Sequence, residues 1–485
     1  MRKALFLLWI VLVAAQLPAE TLEKAYFFNH FQVKTIGEYS LIVAPGALNT
    51  AEAGKPLIPW FASNIVLSPG EEIESVEIEY LDKVQIQGYY QLMPKQYSQP
   101  ISKGKTGDFV KDKAFYQSNA AYPCAGNHTQ TTAFYAGHSV GMVNYTPFEY
   151  YPLSGELYYY RQVNLVIHTK QTPKAQEALL LYNAGNMVKN NLMQIADDTE
   201  KMKLYPSAPS AKNTDYDFLI ITPSQFVPEF DTLVSHYLVR GLKAQVKSKE
   251  DILAEMDGQD AQDKIRNYII QEYTNNNILN VMLGGDVEHI PYRGFYCHVQ
   301  SSSVYEDDNI PSDLYYSALD GNWNTDADGR WAEIGEDDLL PEIAVARFSF
   351  SNSSELQKML HKTISYQSAP VTGELAHPLF AGENLYDNPE TWGSDYLELL
   401  VGYRDDNGYE TTGIPESNNI TKLYDEISGW SANTLTNEIN AGKNFVHHVG
   451  HANENTVMKY YTSDITNSNF AGANGIDHQY TNVYT

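Results

Sequence analysis

The sequence predicts a multidomain protein: an all-β, sandwich-like unit at the N-terminus, then an α/β unit with a mostly parallel sheet flanked by helices. Three observations carry this reading. At 485 residues the chain exceeds what one hydrophobic core usually organises. Up to about residue 170 it reads as strands separated by Pro, Gly and Asn punctuation, whereas after about 215 short β-branched runs alternate with segments of helical period. Between the two, "LYPSAPSAKNTDYD" (204–217) has the composition of a linker.

In the first part, "SLIVAP", "ESVEIEYLDKVQIQGYYQL" and "ELYYYRQVNLVIHT" are strand-like and rich in Tyr and Val, residues that suit half-buried sheet. Residues 172–197 have helical composition. After the linker, "DFLIITP" predicts a strand. "PEFDTLVSHYLVRG" follows with Phe230, Leu233, Val234, Tyr237 and Leu238 at helical spacing and Gly241 as a stop. "KAQVKS" and "ILNVMLGGD" read as further strands around the helix "QDAQDKIRNYIIQEY", and "EIAVARFSF", "HPLFAGEN" and "KNFVHHVGH" continue the series with "SELQKMLHKTISYQ" and "SANTLTNEINAG" as helices. Such alternation calls for parallel strands, and chemistry in these folds lies at their carboxyl ends. Gly284-Gly285-Asp286, Gly382-Glu383 and Gly450-His451 occupy those positions.

Composition narrows the partners. With 33 basic against 60 acidic residues, the formal charge of −27 repels nucleic acid and anionic membranes. The opening "MRKALFLLWIVLVAAQLPAE" has the basic start, apolar run and small residues of a secretory signal over 1–19. Its apolar run is shorter than the roughly 20 residues a span needs, and no other stretch approaches that length. The reading is therefore an exported chain without a membrane span in its mature part. Two cysteines, Cys124 and Cys297, exclude a disulfide framework; Cys297 reads as a buried structural residue. The divisions expected are 1–19 signal, 20–205 β-rich unit, 206–215 linker and 216–485 α/β unit.

Two stretches carry possible chemistry. Asn324, Asp326, Asp328 and Gly329 follow the 1, 3, 5, 6 spacing of a calcium loop, but the twelfth position is Gly335 and the expected acid arrives one residue late, at Glu336. The expectation is a structural Ca²⁺ loop of non-EF-hand type, set against a solvated acidic loop; no organic cofactor is expected. "NFVHHVGHAN" (444–453) admits three readings. A metallohydrolase would use His447, His451 and Asp286, although a strand places 447 and 451 on one face, 448 on the other, and the segment lacks a zincin's Glu. A general base at a strand end would use His451, with Gly450 allowing close backbone approach and Glu383 on the preceding strand orienting the imidazole. Packing histidines are the third reading.

"DYDFLIITP", "IRNYIIQEY", "NVMLGGDVEHIPYR", "SDLYYSALDGNWNTDADG", "PEIAVARFSF" and "NFVHHVGHAN" occur together and in order. On these residues the chain from about 215 resembles the gingipain-like cysteine peptidases, peptidase family C25 of the caspase-related clan, and residues 20–205 resemble their propeptide. The resemblance implies a secreted or cell-surface cysteine endopeptidase made as a zymogen. Protein or peptide is then the substrate, and the propeptide is an intramolecular inhibitor covering the cleft. It maps the base to His451 and its supporting acid to Glu383. It places backbone N–H groups near Gly450 and Ala452 at the oxyanion, Ala452 standing where the family often has Gly. Asp395 aligns with an S1-pocket acid of Arg-specific members, against the plainer reading of a helix-start carboxylate. The family's nucleophilic Cys follows on the next strand. "YTNVYT" (480–485) reads as the beginning of that strand, so the chain is expected to stop short of its nucleophile and to be inactive as it stands. A non-catalytic Ca-binding surface module is the other reading.

Overall fold

The computed structural model describes residues 20–97, 109–124, 126–206, 216–300, 304–369, 371–387, 390–406, 409–453, 455–466 and 468–473. The expected signal (1–19), residues 207–215 of the linker and the last strand fragment (480–485) lie outside the described residues.

The first unit contains β1 (Thr21–Phe27), β2 (Leu48–Thr50), β3 (Ile58–Val66), β4 (Glu71–Ile86), β5 (Thr129–Tyr135), β6 (His138–Tyr145), β7 (Phe148–Tyr151) and β8 (Glu156–Gln171), besides a hairpin of Gln32–Ile36 with Tyr39–Val43. One sheet runs β1–β8–β4 with β7 also on β8, and another runs β2–β3–β6–β5; the pairings are antiparallel. Along β8, Val163, Leu165 and Ile167 are fully buried, the two-residue period that sends alternate side chains to one face. They share a cluster with Val76 of β4, and with Ile65 and Val143 from the other sheet. Each such side chain stabilises the fold by roughly 1.5–3 kcal/mol relative to exposure.

β5 and β6 are joined by a two-residue turn in which Ala136 and Gly137 both have positive φ, 47° and 76°, the geometry favoured in tight hairpins. A Cβ on Gly137 would lie 2.4 Å from the Tyr182 Cα, so glycine is needed for closeness as well as for φ. The helical stretch at 172–197 is two helices, Pro173–Leu179 and α1 (Asn186–Ile195). Asn183 and Gly185 interrupt it, the Asn183 side chain accepting the Gly185 N–H at 2.8 Å.

The second unit contains β9 (Phe218–Thr222), α2 (Asp231–Val239), β10 (Ala244–Ser248), α3 (Ala261–Asn276), β11 (Asn280–Gly284), β12 (Ala344–Phe348), α4 (Ser353–Ser368), β13 (Leu379–Gly382), α5 (Gly393–Leu397), β14 (Thr421–Tyr424), α6 (Ala432–Asn440) and β15 (Val446–Val449). Helix limits follow local chemistry: Asp260 caps the start of α3 through the Asp263 N–H, and Asn277 in the left-handed region ends it. The central strand β9 is buried on both faces. Leu219 and Ile221 join Ile265, Tyr268 and Ile269 of α3, while Ile220 joins Leu233 of α2 and Leu356 of α4.

Instead of one parallel sheet, the strands named above form two, and short antiparallel hairpins make up the other sheets of the unit. One parallel sheet runs β10–β9–β11–β12 and the other β14–β13–β15. The sequence reading also missed β14. "TKLY" is too short and too polar to declare itself a strand.

The two units touch at the amino end of β12. The Ala136 N–H donates to Glu342 Oε1 at 3.1 Å, Leu340 packs against the cluster of Val140, Val188 and Leu192, and Leu181 joins the core around Tyr273 and Ile278. This is the opposite end of that sheet from Gly284.

Candidate active site

β13 and β15 are neighbours in register, Gly382 beside Val449, so Glu383 and Gly450-His451 leave the sheet side by side. The helix α5 begins against them. The Gly393 N–H donates to the Glu383 carbonyl at 2.7 Å, and a Cβ on Gly393 would fall 2.3 Å from the Val449 carbonyl oxygen. Any other residue there would push the helix off the strand ends.

The Glu383 carboxylate is buried and accepts on both oxygens: Oε1 from the His448 Nε2 at 2.9 Å, Oε2 from the His451 backbone N–H at 3.2 Å. Burial pushes its pKa up, but the hydrogen bonds from His448 and from the His451 N–H, with the charges of His448 and Lys459, outweigh that and hold it below the usual carboxylate range. The expected partnership of Glu383 with the His451 ring is therefore redistributed. Its carboxylate takes the His451 backbone and the His448 ring. The His451 imidazole is held instead by the Asn384 carbonyl, 3.0 Å from Nε2. A carbonyl only accepts, so Nε2 carries a proton, and in the neutral ring Nδ1 is the nitrogen that can take another.

Asn384 was invisible to sequence reasoning because it acts through its backbone, which carries no residue signature. Strand alternation places His448 on the face opposite His447, and that face is the one that meets Glu383. His447 is exposed and packs near Phe380. The reason for Gly450 also changes. A Cβ there would meet His448 Nε2 at 2.2 Å and Glu383 Cδ at 2.5 Å, so glycine makes room for that pair. Because the His451 N–H is engaged by Glu383, Gly450 and Ala452 are the neighbours left as possible oxyanion donors. Asp395 is exposed, and its Oδ2 accepts the Trp392 N–H at 2.9 Å, the helix-start role.

Among the described residues, the acidic and histidine groups close enough to share an ion are Asp326–Asp328–Glu333 and Asp320–Asp338–Glu342. His447, His451 and Asp286 do not form such a group, so the geometry does not support the metallohydrolase. In the first cluster Glu333 supplies the third carboxylate in place of Glu336, whose Oε1 instead accepts the Thr325 and Asp326 N–H groups at 2.7 and 3.2 Å. Glu336 Oε2 and Asn324 Oδ1 are nevertheless shut off from solvent with no hydrogen-bond partner. Orphaned oxygens beside three carboxylates are what a hard cation such as Ca²⁺ would satisfy. Both cysteines are free; Cys124 is exposed, and Cys297 is only half-buried in the hairpin strand Arg293–Gln300, against the expectation of a core residue.

The sequence profile of peptidase family C25 matches residues 211–482, and that of the C25 propeptide matches residues 27–202. The chain belongs to peptidase family C25 and carries its propeptide. It is 21% identical over 429 residues to gingipain R2 of Porphyromonas gingivalis, covering 84% of this chain and 50% of that protein. It is equally identical to gingipain R1 of the same organism over 428 residues, 84% of this chain and 37% of that one. The chain thus spans half or less of these relatives. Solved structures similar to it include the Arg-specific cysteine proteinase gingipain R (TM-score 0.36, 20% identity, 54% of this chain and 53% of that chain). Another is the complex of RgpB pro- and mature domains from P. gingivalis (TM-score 0.28, 13% identity, 36% and 91%).

Proposed function

We propose that the protein is a secreted cysteine endopeptidase made as a zymogen. The observation carrying the reading is the His451 ring at a strand end, its Nε2–H donating to the Asn384 carbonyl, so that Nδ1 of the neutral ring is the nitrogen that would take a proton. In the reaction His451 takes the thiol proton. The thiolate then bonds to the scissile carbonyl carbon, and the displaced π electrons become the oxyanion. Collapse expels the amine as it takes the proton from His451, and water then releases the acyl group. Proton transfer of this kind contributes about 10²–10⁴-fold. Glu383 acts on the backbone of His451, and N–H groups at Gly450 and Ala452 stabilise the oxyanion. The family resemblance puts the nucleophile on the strand after His451, and neither Cys124 nor Cys297 is on such an element.

The test is to read the coding DNA beyond Thr485, express the chain through any Gly-Cys pair found there, and assay peptide hydrolysis. Thiol-dependent activity abolished by His451→Ala supports the reading. Equal activity in residues 1–485 alone would overturn it and return attention to Cys297. Asp395 is the proposed S1 acid; if it is, Asp395→Ala lowers kcat/KM for Arg substrates more than for uncharged ones. The β-rich propeptide is the intramolecular partner, and its inhibitory role is read by comparing hydrolysis before and after a cut in 207–215.

The structural cofactor proposed is Ca²⁺ at Asn324, Asp326, Asp328, Glu333 and Glu336. Calorimetric titration of chelator-treated protein should show Ca²⁺ binding that Asp326→Asn/Asp328→Asn removes. If activity is absent in the extended chain while Ca²⁺ binding persists, the surface-module reading takes its place.

A further inference from the structure

We propose that His448 is a positioning residue: its imidazole holds the Glu383 carboxylate against the His451 backbone N–H and so fixes the turn that presents the His451 ring. This rests on the reading of His451 as the base. The contacts close a loop around residues 448–451. From His448 Nε2 to Glu383 Oε1 is 2.9 Å, and from Glu383 Oε2 back to the His451 N–H is 3.2 Å. One carboxylate therefore ties the strand to the residue three positions on, across the point where β15 ends. The His448 and Glu383 side chains are only 13% and 9% exposed, so water competes weakly for either bond.

The surroundings keep the His448 ring in place. Trp430 meets it edge-on at 6.3 Å. That indole is fixed in turn by its N–H to the Gly382 carbonyl at 3.1 Å and by Lys459 over its face at 4.2 Å. On the inner side the ring fills the space a Cβ of Gly450 would occupy. Glycine at 450 and histidine at 448 are thus one device: the first leaves room that the second fills with an N–H aimed at Glu383. His447, one residue earlier, faces the other way and is exposed. It serves as a control.

The device depends on an N–H donor at this reach. His448→Phe keeps a ring but loses the donor, whereas His448→Gln keeps a donor. In the present chain the readout is hydrogen exchange of the His451 amide, resolved by fragmentation of the deuterated 446–453 peptide. His448→Phe should speed exchange about tenfold, the loss of one charge-assisted bond. His448→Gln should restore it to within about threefold, and His447→Phe should leave it unchanged. Glu383→Ala removes the same bond from its other end and should match His448→Phe, which covers the case in which the Phe variant does not fold.

Wild-type exchange in both His448→Phe and Glu383→Ala overturns the proposal. If the chain expressed as above proves to be a thiol-dependent peptidase, His448→Phe should lower its kcat with KM unchanged, and His448→Gln should recover it. Unchanged kcat in an active His448→Phe enzyme also overturns the proposal. An extended wild type without peptidase activity sinks the base reading of His451, and the exchange experiment then decides alone whether His448 fixes the turn.

Discussion

Glu383 and the Asp320–Asp338–Glu342 cluster are both buried carboxylate sites in the α/β unit, yet they are driven in opposite directions. Glu383 meets donors on both oxygens and is held below the usual range. In the cluster, burial and mutual repulsion push Asp320 to about 7, Asp338 to about 8 and Glu342 to about 7. The nearby cation does not rescue them, because Arg266 directs Nη2 to the carbonyls of Ala318 and Asp320. Asp320 Oδ2 and Asp338 Oδ2 have no hydrogen-bond partner. Burial sets the size of the problem, and the balance between donors and neighbouring like charge sets its sign: Glu342 also accepts N–H groups on both oxygens, from Ala136 and Leu319, yet burial and the Asp338 charge still raise it. Glu383 is ready to act as an anion, whereas the cluster needs protons or a cation.

The largest expected effect is to remove the room on which the Glu383 side of this contrast depends. Gly450→Ala forces the His448–Glu383 pair apart and should cost about 1–3 kcal/mol as overpacking, measured by urea unfolding, with any peptidase activity of an extended chain lost. Unaltered stability would show that the pair yields without penalty.

Glu383→Gln tests the charge alone and should cost about 1–2 kcal/mol at pH 7. The sign is fixed by linkage. A carboxylate depressed in the folded state contributes stability above its unfolded value of 4.5 and loses it as pH falls through the folded pKa. The gap between Glu383→Gln and wild type should therefore close below pH 4.5, and a gap independent of pH would mean that packing, not charge, is at stake.

For the cluster the sign reverses. Its raised pKa values mean stability is greatest at low pH and is lost as pH rises through about 7 to 8. Asp320→Asn, in chelator at pH 8.5, should gain about 1 kcal/mol in thermal or urea unfolding; a loss would show that the carboxylate is needed in its charged form. The smallest change is Asp395→Ala, which removes a helix-start acceptor and should cost about 0.5–1 kcal/mol.

Much of the α/β unit was legible because its strands and helices carry their period in side chains: Ile265, Tyr268 and Ile269 mark one face of α3, and all are buried. The strand ends carrying Glu383 and His451 were legible for the same reason. What did not show was whatever depends on backbone or on distant pairing. The Asn384 carbonyl has no residue signature, and the separation into two sheets is decided by hydrogen bonds between strands far apart in sequence. The partner of Glu383 was missed because alternation along β15 places His448 opposite His447 without saying which face meets β13. In the acidic loop, spacing suggested Glu336, whereas chain folding brought Glu333 to the carboxylates and left Glu336 capping backbone N–H groups.

The contacts at the amino end of β12 bear on what a cut in the linker would do. Leu181 is part of the α/β core and Leu340 packs into the β-rich unit, so each piece carries a side chain belonging to the other. Severing 207–215 does not by itself separate them; it turns a folded chain into a two-piece complex whose survival depends on concentration. Dilution, rather than the cut, then sets when the β-rich piece departs.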